Sequence, residues 1–219
     1  QNPDVSVQPI VSAPSPLRNK CEFTFGYRYL FDEDTDGNGT KVEEAESKEP
    51  RRIPAVGFMV TGWSGGVSFS NSLQHIPSEV CSIVDVVNDF VSTSPLPPYD
   101  FKTHVGFWRL LTTRTSRRTR ECMVIIQHFP VESDSQGSDS AGFAEGFAIE
   151  QPRLISMLTK AELVVSGESS PMKVTSIFFQ AFGGASNPPP DHPVQVSAFD
   201  FVSLPLTCAI QSTCTERRA

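Results

Sequence analysis

The chain has 219 residues, 38% of them in the apolar set, with 18 basic and 25 acidic side chains and a net charge of −7. That length is enough for one large domain or two small ones with a core that needs no disulfide staples, and no run of 18 apolar residues is present to cross a membrane as a helix. An acidic total argues against a protein dedicated to coating nucleic acid. In chain order, residues 1–14 read as an N-terminal extension, and Cys21, Phe23, Phe25, Tyr27 and Tyr29 then alternate with polar or small residues as a half-buried strand. Residues 56–60 and 66–69 read as shorter strands around a Gly-rich turn. From Pro77 and Ser78 a helix follows, its apolar residues at Val80, Ile83, Val84, Val87 and Val91 and its polar face at Ser82, Asp85 and Asp89. Residues 107–115 and 122–129 form a predicted hairpin, 152–160 a short helix and 174–182 a strand. The sum is an α+β fold with a mixed, largely antiparallel sheet. It has one well-defined amphipathic helix, one or two shorter ones, long acidic loops and an irregular C-terminal tail.

Charge is distributed unevenly along this frame. Residues 32–49 carry eight acids against Lys41 and Lys48, and residues 131–150 carry five acids and no base. Segments so polar cannot offset their ordering entropy, so insertions at 32–52 and 131–150 are predicted to be solvated loops. Between them, residues 101–130 hold Lys102, Arg109, Arg114, Arg117, Arg118 and Arg120 against Glu121 alone. The arginines from 109 to 120 are interleaved with threonines and a serine, which is the vocabulary of phosphate contact. A solvated hairpin tip, or pairing with the chain's own acidic loops, accounts for the same composition.

Other motifs carry less. Asp32, Asp34, Asp36, Gly37 and Glu43 match a calcium-loop pattern, but no helical pattern flanks them, and an acidic insertion produces the string readily. Calcium binding is thus the weakest of the alternatives. The run 187–190, Asn-Pro-Pro-Pro, lacks the aromatic of the amino-group methyltransferase signature and reads as proline-rich linker within a disordered tail at 188–219. His75, His104, His128 and His192 have no ligand spacing, so no metal site is predicted, and no nucleotide-binding glycine loop occurs. The five cysteines are scattered: Cys21 and Cys122 fall on strands as core thiols, and the set suits a reducing, intracellular compartment such as cytoplasm or nucleus.

The segment Arg18-Asn19-Lys20-Cys21-Glu22-Phe23 resembles a strand of the eukaryotic tRNA (uracil-5-)-methyltransferases. Val56-Gly57-Phe58, His75-Ile76-Pro77 and the run from Trp108 to Arg118 follow in the family's order, so the similarity spans about residues 15–182. The resemblance implies that residues 15–187 form the central α+β domain of an enzyme that methylates C5 of uridine in tRNA with S-adenosylmethionine. It implies further that the catalytic cysteine, the glutamate base and the cofactor loop lie in a following domain. Cys208, Cys214 and Glu216 have no matching context, so no catalytic or cofactor-binding residue is assigned. The chain is expected to be a fragment, or the product of mis-splicing, and inactive alone. Arg18, Asn19, Lys20, Arg114, Arg117, Arg118 and Arg120 are the candidate RNA contacts, tRNA the implied partner, and neither membrane nor DNA is expected. A non-catalytic RNA-binding or interaction module is the alternative.

Overall fold

The computed structural model describes residues 9, 18–30, 51–60, 66–100, 102–130, 139–184, 188, 189 and 191–199. Seven strands and two helices follow one another as β1 (Lys20–Leu30), β2 (Arg51–Met59), β3 (Val67–Ser68), α1 (Ser78–Thr93), β4 (Trp108–Ser116), β5 (Glu121–His128), α2 (Asp139–Lys160), β6 (Lys173–Ala181) and β7 (Gln195–Phe199). The strands form one sheet in the order β3-β2-β1-β4-β5-β6-β7. Every pairing is antiparallel except β5 with β6, which are parallel and joined by the α2 crossover that such a pair requires. The α+β class and the largely antiparallel sheet expected from the sequence are therefore found.

Both helices lie on one face of the sheet. Alternation puts Cys21, Phe23 and Phe25 of β1 into that face, and Cys122, Val124 and Ile126 of β5 join them. Val84 and Val87 of α1 and Leu154 and Leu158 of α2 complete the core, all at 0% exposure. Two of the three register shifts in the sheet re-aim core residues. Trp108 pairs with His128 and Leu110 with Gln127, which leaves Arg109 as an extra residue on β4. The bulge switches parity, so Trp108 and Leu111 both reach the core from one strand. A second shift, at Thr175, does the same for Val174 and Ile177 of β6.

The outer edge of β2 is blunted. Asn88 Oδ1 of α1 accepts the Val56 N–H at 2.8 Å, which marks Val56 as pointing away from β1. Pro54, two residues back, points the same way, so its missing N–H costs the β1–β2 ladder nothing.

Three expectations are corrected. Residues 51 and 52, assigned to the first acidic insertion, begin β2. The helix expected at 152–160 starts at Asp139, inside the second acidic segment, and at 22 residues is longer than α1 with 16. Phe143, Phe147, Leu154 and Leu158 give it one continuous apolar face, which tertiary packing rewards despite Gly142, Gly146 and Pro152. Within the proline-rich tail, Gln195–Phe199 pairs as a strand on β6, supplying hydrogen bonds to what would otherwise be that strand's open edge. The calcium-loop pattern at residues 32–43 and the cysteines 208 and 214 lie outside the described residues.

Candidate nucleic-acid interface

All seven candidate residues sit at two neighbouring strand ends or in the turn that follows. β1 begins where β4 finishes, so Lys20 lies directly opposite Arg114 in the ladder, and the Thr115 N–H donates to the Asn19 carbonyl at 2.9 Å. Arg18 Nε turns back onto the Lys20 carbonyl at 3.1 Å. Thr113 and Thr115 are buried on the helix-covered side, and Arg114 between them is exposed on the other. Lys20 shares that open side because Cys21 faces the core.

Like charges directly opposite each other across a strand pair repel, and nothing in the packing requires them here. Glu22 takes Lys20 Nζ at 2.7 Å, in a pair about equally exposed at both ends, 43% and 45%. Such a contact is weak and screened. Arg114 and Arg118 are exposed and form no ion pair among the described residues. The arrangement is a small patch of guanidinium and ammonium groups able to donate to an anion's oxygens.

Arg117 and Arg120 behave differently: both pair with acids of the chain, but with Glu79 and Glu168 rather than with the two acidic loops expected as partners. Arg117 Nε and Nη2 donate to the two carboxylate oxygens of Glu79 at 3.0 and 3.2 Å. The Glu79 side chain is 1% exposed, in the first turn of α1, and its hydrogen bonds push the Arg117 pKa above its ordinary value. Arg117 is itself one-third exposed, so losing one partner of this half-buried pair costs less than the roughly 3–5 kcal/mol of a fully buried one. Arg120 adopts a left-handed φ of 62° to close the four-residue β4–β5 turn, its N–H donating to the Ser116 carbonyl at 2.8 Å. Its guanidinium donates to Glu168 and to the Ser170 carbonyl. The partners are single acids of α1 and of the loop before β6.

Arg109, from the same basic block, is remote from this patch. As the bulged residue at the far end of β4 it is 1% exposed, donating to the carbonyls of Phe182 at 2.5 Å and Gly184 at 2.7 Å. Its guanidinium lies 4.3 Å from the Tyr99 ring centroid. Burial lowers its pKa, and the two carbonyls and the ring face replace the lost hydration. Sequence reasoning missed this separation, and it missed Glu79 and Glu168 as partners. The only signal for Glu79 was an acid on an otherwise apolar helix side, one residue before Val80.

The passage from β3 to α1 enters the helix through Pro77 rather than a glycine loop, with a Pro77 ψ of 144°. Gly106, at φ 115°, is enclosed against the Pro98 carbonyl, and Gly167 lies on the loop before β6. Among the described residues no group of three or more His, Cys, Asp or Glu side chains is placed to hold a metal ion. Cys21 and Cys122 are buried core thiols as expected, and burial pushes the Cys122 pKa up to about 12. No described helix is long and apolar enough to cross a membrane. A cleft of about 240 Å³ between β2, β3 and α1 is lined by Arg28, Ser68, Asn71, Asp85 and Asn88, far from any candidate contact.

No protein-family model matches the chain. It is 30% identical over 122 residues to the human tRNA (uracil-5-)-methyltransferase homolog A, covering 52% of this chain and 16% of that protein. The Mus musculus homolog A is 28% identical over 185 residues, 80% of this chain and 24% of the relative. An uncharacterized RNA methyltransferase of Chlorobaculum tepidum is 30% identical over 129 residues, 58% and 25% of the two chains. The chain thus spans a quarter or less of the length of these relatives. These weak similarities support a distant relationship to RNA methyltransferases.

Proposed function

We propose that this chain supplies RNA contacts to a methyltransferase that uses S-adenosylmethionine to methylate C5 of uridine in tRNA. The observation that carries the RNA reading is the Lys20–Arg114 cross-strand pair, with exposed Arg118 on the adjoining turn. Two cations facing each other on a solvated sheet surface are best relieved by a shared anion, and a phosphodiester backbone supplies a series of them. Arg18 and Asn19 extend the patch along the chain entering β1. Arg117 and Arg120 act in support, since their guanidinium groups are engaged by Glu79 and Glu168. The uridine and tRNA assignments rest on what the similar human and mouse proteins are called.

Binding of the chain to a tRNA transcript across a salt series tests this. Arg114→Ala with Arg118→Ala should weaken binding and reduce the slope of log K against log salt by about one per lost phosphate contact. An unchanged slope rejects the role of both residues. The alternative reading is a non-catalytic RNA-binding module, which would bind the transcript without any methyl transfer. Under either reading the chain alone should give no heat with S-adenosylmethionine by calorimetry, and a stoichiometric heat would overturn the assignment of the cofactor to another region.

A further inference from the structure

The basic turn between β4 and β5 is clamped at both ends. Arg117, its first residue, is held by Glu79 through the two bonds of 3.0 and 3.2 Å. Arg120, its last, is held by Glu168 and the Ser170 carbonyl. The loop that carries Glu168 is itself tied to α1. The Ser166 N–H donates to Ser78 Oγ at 2.8 Å and the Val164 N–H to Ser82 Oγ at 3.2 Å. Only Arg118 and Thr119 lie between the clamped residues, and Arg118 is the exposed one.

We propose that Glu79 is a positioning residue of the RNA interface, which through Arg117 holds the turn in one shape and sets Arg118 and Arg114 for phosphate contact. This rests on the RNA-binding reading above. A rival role has Glu79 compete with RNA for Arg117, and the two roles give opposite signs. Neutralising an acid beside a basic patch raises the local positive potential and releases a guanidinium fork, so loss of a competitor strengthens RNA binding. Loss of a positioner weakens binding in spite of that gain. Burial decides between them: Glu79 is 1% exposed, and opening the fork would leave its carboxylate only the Ser78 hydroxyl at 3.4 Å, a large desolvation penalty, so the fork stays closed when RNA arrives. The contacts around it are then ordered before binding, and the complex does not bear that ordering cost.

The test uses the full chain, a fluorescent unmodified tRNA transcript and a potassium chloride series. Glu79→Gln keeps the side-chain volume and one acceptor oxygen, and should weaken binding about three- to tenfold while circular dichroism shows the chain folded at the assay temperature. Arg117→Lys keeps the charge and loses the fork, so it should weaken binding by a similar factor with the salt slope unchanged, since the number of cations facing phosphate is the same. Affinity of Glu79→Gln equal to or above the parent's overturns the positioning role. If that variant unfolds, Arg117→Lys decides, and parental affinity there overturns the role equally. Should Arg114→Ala with Arg118→Ala leave affinity and salt slope untouched, the RNA reading itself fails. If that pair weakens binding while Glu79→Gln does not, only the role of Glu79 falls.

Discussion

His128 carries a titration that its sequence context hides. Its ring is 3% exposed, stacked on Phe107 at 5.0 Å between centroids, and its Nδ1–H donates to the Phe129 carbonyl at 2.8 Å. Burial pushes its pKa down to about 4 from 6.5, so the ring is neutral in the folded chain. As pH falls, the unfolded state takes up the proton first. The contribution to stability is fully present above about pH 6.5, lost progressively toward pH 4, and amounts to about 3 kcal/mol at most. Urea unfolding at pH 7 and pH 4.5 should show the parent losing more stability over that interval than His128→Asn, which cannot titrate. Equal losses would reject the buried neutral histidine as the source. The thiols follow the same logic. With the Cys122 pKa pushed up to about 12 by burial, native-state alkylation should spare that residue until the chain unfolds. Rapid labelling of Cys122 in the native chain would contradict the packing of β5.

Elements differ in how openly the sequence declares them. The strand β1 and the helix α1 were legible because one periodic face of each meets the core, and the alternation from Cys21 to Phe25 survives unbroken in burial. The helix α2 was half hidden, since Gly142 and Gly146 dilute the pattern that Phe143 and Phe147 carry. The bulge at Arg109 left no signal at all: Trp108, Leu110 and Leu111 read equally well in either register, and only the partner strand decides. Two glycines separate these effects. A Cβ at Gly57 on β2 would stand 2.5 Å from the Ser68 carbonyl oxygen of β3, so Gly57→Ala must push the two strands apart. It should cost on the order of 1–3 kcal/mol, as overpacking does. A Cβ at Gly142 meets nothing within 4 Å, so Gly142→Ala should stabilise the chain by about 0.5–1 kcal/mol through helix propensity alone. Thermal melts of the two variants that shifted in the same direction would refute this reading of both elements.

At the scale of the whole molecule, one block of arginines in the sequence becomes two structural populations in space. The strand β4 carries its cations to both ends, and the fold decides their fate by what stands opposite. At the turn end, exposed Arg114 and Arg118 face solvent beside Lys20 and leave the net charge of the chain locally reversed. At the other end, Arg109 reaches across β5 to the chain leaving β6, so a charge becomes a tie between non-adjacent strands. Composition cannot make that distinction, because both groups are the same residue type within one basic stretch. Stability measurements can. Arg109→Ala strips the Phe182 and Gly184 carbonyls of a buried donor and should cost about 2–4 kcal/mol. Arg118→Ala, on an exposed turn with no ion pair among the described residues, should stay within about 0.5 kcal/mol of the parent. RNA affinity should rank the two residues in the reverse order, provided the Arg109 variant is assayed under conditions where it remains folded. Coincident rankings by stability and by affinity would mean that the block acts as one unit. The division of labour drawn here between a structural arginine and a phosphate-contacting one would then fail.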